Sequence, residues 1–297
     1  LGQAALTKNT TADNNTAVGT TALACNTTGA SNTAVGKDTL IANTTGSSNV
    51  AVGKNTLDAN TTGGCLTALG QGALGANTEG DFNTAVGQAA LGANTTADNN
   101  TAVGRLALGA NTTGTENVAV GFCALTTNIT GVNGTAVGNY ALKLNTGDSN
   151  SAFGRTALCT NSSGASNTAL GVNALKSNTT ASDNTAVGTA SLFSNTTGAS
   201  NTAVGRCALN ANTTGTENTA MGQSALLNNT TCSSNTAFGS GAMCGNGTIS
   251  GNNNTSVGSA ALRCITSGAE NTAVGLYAGL KNSTASDNTF LGTCAGY

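Results

Sequence analysis

The chain of 297 residues contains no histidine, and charged residues make up only 7% of it, with a formal net charge of −2. These scarcities exclude whole classes of function. Without histidine, and with carboxylates such as Asp38, Asp58, Glu79, Asp81, Glu116, Asp148, Glu217 and Glu270 at variable positions, no base–nucleophile–oxyanion set recurs. The chain is therefore read as a non-enzyme with no cofactor and no metal. Calcium-binding β-rolls need a regular Asp in a Gly-rich loop, and that spacing is missing. Aromatic residues, at 3%, give no stacking platform for bases, and the charges of either sign read as scattered singly, which argues against nucleic acid. No apolar run reaches membrane-spanning length, so no membrane is expected in this segment.

What is abundant is glycine at a fixed interval. Eighteen glycines run from Gly2 to Gly292, and fifteen of the seventeen intervals are 17 residues; the exceptions are 16 (to Gly154) and 19 (to Gly258). Each sits in the phrase Asn-Thr-Ala-Val-Gly-x-x-Ala-Leu-x-x-Asn-Thr-Thr-Gly-x-x. Numbering the repeat from its first Asn makes this glycine position 5. A fixed short period means one unit stacked many times. Many Asn, Thr and Gly could indicate a disordered polymer. Two constancies argue against it: position 4 is apolar in every repeat, and position 9 is Leu in fifteen of eighteen occurrences, with Met243, Gly279 and Gly296 departing.

Positions 1 to 4 alternate as a strand does, Asn and Ala on one side, Thr and Val on the other. Thr at position 2 becomes Val at Val50 and Val118, which reads as a buried position, placing Thr and Val inward and Ala outward against a close-packed second surface. Gly at position 5 ends the strand; Gly19, Gly36, Gly53, Gly87, Gly104, Gly188 and Gly205 are expected to need a positive φ or a contact too close for a Cβ. Ala-Leu at positions 8 and 9 reads as a second short strand, and Asn-Thr-Thr-Gly as the returning corner. A helix is excluded by the Gly and β-branched content and the lack of a 3.6-residue stripe.

The expected fold is all-β: a parallel β-solenoid (β-roll) of about 17 rungs, two short strands per rung, spanning 1–297 as one continuous domain and a segment of a longer chain. Coils at about 4.8 Å spacing predict a rod about 80 Å long.

Position 12 is Asn in sixteen of seventeen repeats, and in fourteen it forms Asn-x-Ser/Thr. Candidate N-glycosylation sites are Asn26, Asn43, Asn60, Asn94, Asn111, Asn178, Asn195 and Asn212. Glycans wider than the ~4.8 Å coil spacing cannot fill every site, so the favoured reading is an Asn ladder bonding from rung to rung. Of nine cysteines, only Cys244 and Cys264 fall on neighbouring rungs at compatible positions.

The phrase Asn-Thr-Ala-Val-Gly-x-x-Ala-Leu, as in Asn83 to Leu91 or Asn201 to Leu209, resembles the β-roll heads of trimeric autotransporter adhesins. More closely still, it is similar to the repeat arrays of phage-type tail-fibre and bacterial surface fibre proteins. The resemblance implies a left-handed β-roll and a homotrimer. The function expected is a structural fibre or shaft, extracellular, at a cell surface or on a virion, working by self-association as a homotrimer or filament. The alternatives are an adhesin binding matrix or surface glycans, a glycan-coated matrix filament, and an ice-binding protein.

Overall fold

A computed structural model describes residues 2–297. Among these residues the only regular elements are seventeen three-residue strands, and there is no helix. The chain is an all-β parallel solenoid. It forms two compact units, Leu1–Asp148 and Ser149–Tyr297, which meet in sequence within the 16-residue repeat. The first holds eight strands, from β1 (Thr16–Val18) to β8 (Thr135–Val137); the second holds nine, from β9 (Ser151–Phe153) to β17 (Thr289–Leu291). Within each unit every strand pairs in parallel with the next, Thr over Thr, Ala over Ala and Val over Val.

The facing of the strand is the reverse of the sequence expectation. Ala is the buried residue in fifteen of the seventeen strands and buried Ser256 takes its place in a sixteenth, while Thr and Val stand at partly or fully exposed positions. The close-packed surface that keeps position 3 small is the inside of the chain's own coil. The Thr-to-Val exchange at position 2 is a β-branched exchange on the outer face, where Val50 is 44% exposed.

Repeat positions 6–11 form no second strand. Positions 7 and 9 lie in the left-handed region, as in Thr21 (φ 59) and Leu23 (φ 50), and position 17 does too, as in Ser31 (φ 60). The cause is packing. Ala22 and Leu23 are adjacent and both fully buried, and a strand sends neighbouring side chains to opposite faces. Only a tight turn directs two consecutive residues inward. Hydrogen bonds between coils continue through this turn, Leu40 N to the Thr56 carbonyl at 3.1 Å and Leu57 N to the Ala73 carbonyl at 3.1 Å.

Position 5 fulfils both expectations. Gly19, Gly36, Gly53, Gly87, Gly104, Gly188 and Gly205 have φ between +127° and +139°. At Gly104 an added Cβ would also lie 2.6 Å from the carbonyl oxygen of Gly121 in the next coil.

The core of each coil is narrow: Ala from position 3, Ala and Leu from positions 8 and 9, and the Asn of positions 1 and 12. The last strand shows how these fit. Phe290 replaces Ala at position 3 of β17, and the two facing Leu positions are Gly279 and Gly296, where an added Cβ would run into the Phe290 ring. A large residue at position 3 is matched by loss of the large residue at position 9.

Candidate interaction surface and its supporting ladders

The eight candidate glycosylation asparagines are all fully buried. In the first unit the amide of Asn43 donates to Asn26 Oδ1 at 2.8 Å, Asn60 to Asn43 at 2.9 Å, Asn94 to Asn77 at 2.8 Å and Asn111 to Asn94 at 3.0 Å. In the second, Asn195 donates to Asn178 at 2.9 Å and Asn212 to Asn195 at 2.8 Å. The second N–H of each amide goes to the carbonyl three residues on, as in Asn94 to Ala97 at 3.0 Å. That carbonyl row also receives the position-1 Asn, so Gly63 O accepts both Asn60 and Asn49 at 2.9 Å. Two buried amide ladders are thus tied together in most coils where both asparagines are present, Asn184 with Asn195 and Asn235 with Asn246 being exceptions. A sugar on Nδ2 would replace one of its two donated hydrogens. A third ladder is the Thr of position 13, whose hydroxyl bonds the next coil's carbonyl, as in Thr44 to Thr61 at 3.0 Å.

The position-12 ladder stops where the period is broken. Asn128 precedes the 16-residue repeat and Asn229 precedes the 19-residue one, and the Oδ1 of each is buried without a partner. Above Asn229 the ladder slot holds Ile249, paired with it in a parallel bridge, while Asn246 is exposed. The inserted residues displace the sequence Asn from the slot that spacing assigned it.

Replacing Asn94 by Ala removes the donor to buried Asn77 Oδ1 and the acceptor of Asn111. Leaving buried polar groups unpaired costs about 2–4 kcal/mol. Urea unfolding is expected to show that loss, against less than about 0.5 kcal/mol for Thr96→Ala at the exposed corner. Equal midpoints for the two variants would remove the ladder from the forces that hold the coil.

With Ala inside, the outer face of each unit's sheet carries two parallel rows. One is Thr at position 2. The other is the apolar row of position 4, including Val18 (43% exposed), Leu69 (47%) and Val103 in the first unit and Leu170 (48%), Phe238 (53%) and Val274 in the second. A sustained apolar row on a surface marks a place where something binds.

The charges, which read as scattered in sequence, are sorted by repeat position. All ten Lys and Arg occupy positions 6, 10 or 11, just after the strand, and ten of the twelve Asp and Glu occupy positions 14, 16 or 17, just before it. Asp38 and Asp58, at positions 7 and 10, are the exceptions. Counting charges by repeat position, not along the chain, is the signal that exposes the pattern. Among the described residues the one ion pair is Lys37 Nζ to Asp38 Oδ2 at 3.3 Å, within the basic edge. The Thr21 hydroxyl donates to Asp38 and, with Lys37 beside it, holds that carboxyl below the usual range.

Cys25, Cys65, Cys123, Cys207, Cys232, Cys244, Cys264 and Cys294 are free thiols, with Cys123 and Cys232 buried. Burial pushes the Cys232 thiol up, and its Sγ donates to Ile249 O at 3.2 Å. Among the described residues no group of three or more Cys, Asp or Glu is placed to hold a metal ion, and no helix is long and apolar enough to cross a membrane. A shallow groove of about 320 Å³ in the second unit lies along the post-strand turns and is lined by Gln223, Ser240, Ser259, Arg263 and Tyr277 among others. It exists because position 7 shrinks to Ser224, Gly241 and Ala260 in successive coils before Tyr277 closes it.

Compared with protein-family models, curated proteins and solved structures, the chain matches none.

Proposed function

We propose that this chain is a structural fibre segment, extracellular or virion-associated, that works by associating with further copies of itself. The observation that carries this reading is the apolar row at position 4, exposed coil after coil beside the Thr row. Covering each Val or Leu of that row stabilises an assembly by about 1 kcal/mol, and a second copy offers an equally long row at the same coil spacing. The resemblance of the repeat to tail-fibre and surface-fibre arrays supports the same role, with a trimer as the closed form. The absence of histidine and of any recurring catalytic set fits scaffolding.

Light scattering on the purified protein tests it. The expected mass is a whole multiple of 28.6 kDa, falling towards the single-chain value, with unchanged circular dichroism, when Leu69, Val86, Val103 and Val120 are replaced by Ser. A single-chain mass for the unmodified protein at every concentration would overturn the reading.

The outward Thr row favours one second reading, ice binding, which requires a regular array of outward Thr and Val methyl and hydroxyl groups. Thermal hysteresis measured on the same samples would support it; freezing behaviour no different from that of a control protein would remove it.

A further inference from the structure

In the second unit the five cations, Arg155, Lys176, Arg206, Arg263 and Lys281, all lie on the post-strand edge. The four carboxylates, Asp183, Glu217, Glu270 and Asp287, all lie on the pre-strand edge. The extended stretch from position 17 to position 6 covers six residue steps, up to ~20 Å. No ion pair joins the two edges among the described residues. Net charge near zero therefore conceals a basic side and an acidic side flanking the Thr/Val face. The first unit repeats this with Lys8, Lys37, Lys54, Arg105 and Lys143 on one edge and six carboxylates on the other.

The two signs also share coils. Lys8 and Asp13, Arg105 and Glu116, Lys143 and Asp148, Lys176 and Asp183, Arg206 and Glu217, Arg263 and Glu270, and Lys281 and Asp287 each belong to one repeat. Each pair therefore sits at one level of the stack. Several cations are held in place by rings on their own edge: Arg105 over Phe122 at 5.6 Å, Lys143 over Tyr140 at 5.3 Å and Lys176 over Phe193 at 5.4 Å. Such contacts lower the entropy lost when a partner carboxylate arrives.

We propose that copies of this chain associate side by side, parallel and level, with the basic edge of one copy against the acidic edge of the next. The proposal rests on the self-association reading and specifies its geometry. A neighbour generated by pure rotation about an axis parallel to the stack sets seven of the ten cations opposite a carboxylate of the same repeat; Lys37, Lys54 and Arg155 have none on the facing edge. Such a rotation closes as a twofold dimer or as a larger ring with heterologous contacts. An antiparallel neighbour with the same face presented brings cations against cations, and a shift of one coil separates the matched levels. The apolar row supplies the attraction, and the edges select direction and register.

Zero-length carbodiimide cross-linking of the full chain, with unlabelled and ¹⁵N-labelled protein mixed, tests this directly. Mixed-isotope links are expected between Lys143 and Asp148, Lys176 and Asp183, and Lys281 and Asp287, and raising the salt from 50 to 500 mM should suppress them. A second experiment reverses one edge of the second unit: Arg155, Lys176, Arg206, Arg263 and Lys281 to Glu, or Asp183, Glu217, Glu270 and Asp287 to Lys. Each variant alone should associate about tenfold more weakly or worse, and the two mixed should associate again. If the unmodified protein assembles, but its links join different repeats or both variants assemble as before, the edge pairing is wrong and self-association stands. If the unmodified protein is a single chain at every salt concentration, both are wrong.

Discussion

Replacing Gly104 by Ala lowers the stability of the first unit by about 4 kcal/mol or more. Two costs add. At φ +132° the backbone is in a region that side-chain-bearing residues almost never occupy, worth about 1–3 kcal/mol of strain. The new Cβ then lies 2.6 Å from Gly121 O and 2.7 Å from its carbonyl carbon, and this obstacle is backbone, which cannot rotate away. Moving it stretches the 2.8 Å bond from Gly121 N to Val103 O, one of the bonds on which the coil stack depends. Gly72 provides the control. Its φ is +65° and nothing lies within 4 Å of an added Cβ, and other coils place Thr, Asn or Ser at this position. Gly72→Ala is therefore expected to change stability by less than about 1 kcal/mol. Thermal or urea unfolding of the two variants separates them, and similar losses in both would show that the close approach of consecutive glycines is not what fixes position 5.

Replacing Ala102 by Phe has an effect of the same size, for a different reason. Ala102 is fully buried and holds the repeat position of Phe290, with Leu108 of its own coil and Leu91 of the preceding coil at the positions of Gly296 and Gly279. The core here is one side chain wide, so the ring has no void to enter, and overpacking costs about 3 kcal/mol or more. Adding Leu91→Gly and Leu108→Gly reproduces the arrangement around Phe290. Although each Leu→Gly change alone creates a cavity costing about 3 kcal/mol or more, the triple variant is expected to be more stable than the sum of the separate losses by at least about 2 kcal/mol. Strict additivity would show that positions 3 and 9 do not share one space. By contrast Val103, one residue along and on the outer face, can become Ser with less than about 1 kcal/mol of effect on folding, the loss appearing in association.

The period, the all-β class, the parallel stacking and the fixed glycine were legible because each rests on a local rule that recurs in every repeat. The buried Asn ladder was legible too, because coil spacing limits what can stand at position 12. The facing of the strand was not. Alternation divides Asn and Ala from Thr and Val but does not say which pair is inside, and hydrophobicity favours Val. What decides it is the width of the coil, which Ala fits and Val does not, and the sequence states that width in one place: Phe290 beside Gly279 and Gly296. The second strand failed for a related reason. Ala-Leu looks extended in isolation, and only the burial of both side chains requires the left-handed turn. The ladder break at Ile249 depends on how the two extra residues loop out, which spacing alone does not determine. The edges of charge were present in the sequence throughout, visible once residues are sorted by position in the repeat.

Ala rows lie inside each coil, and the proposal is that Thr/Val rows lie between copies. A cryo-electron microscopy reconstruction of the assembled protein tests it most directly. The account predicts Val86, Val103 and Val120 at the contact between neighbouring copies, with Ala85, Ala102 and Ala119 enclosed within each chain; density placing the Ala rows between copies would contradict it.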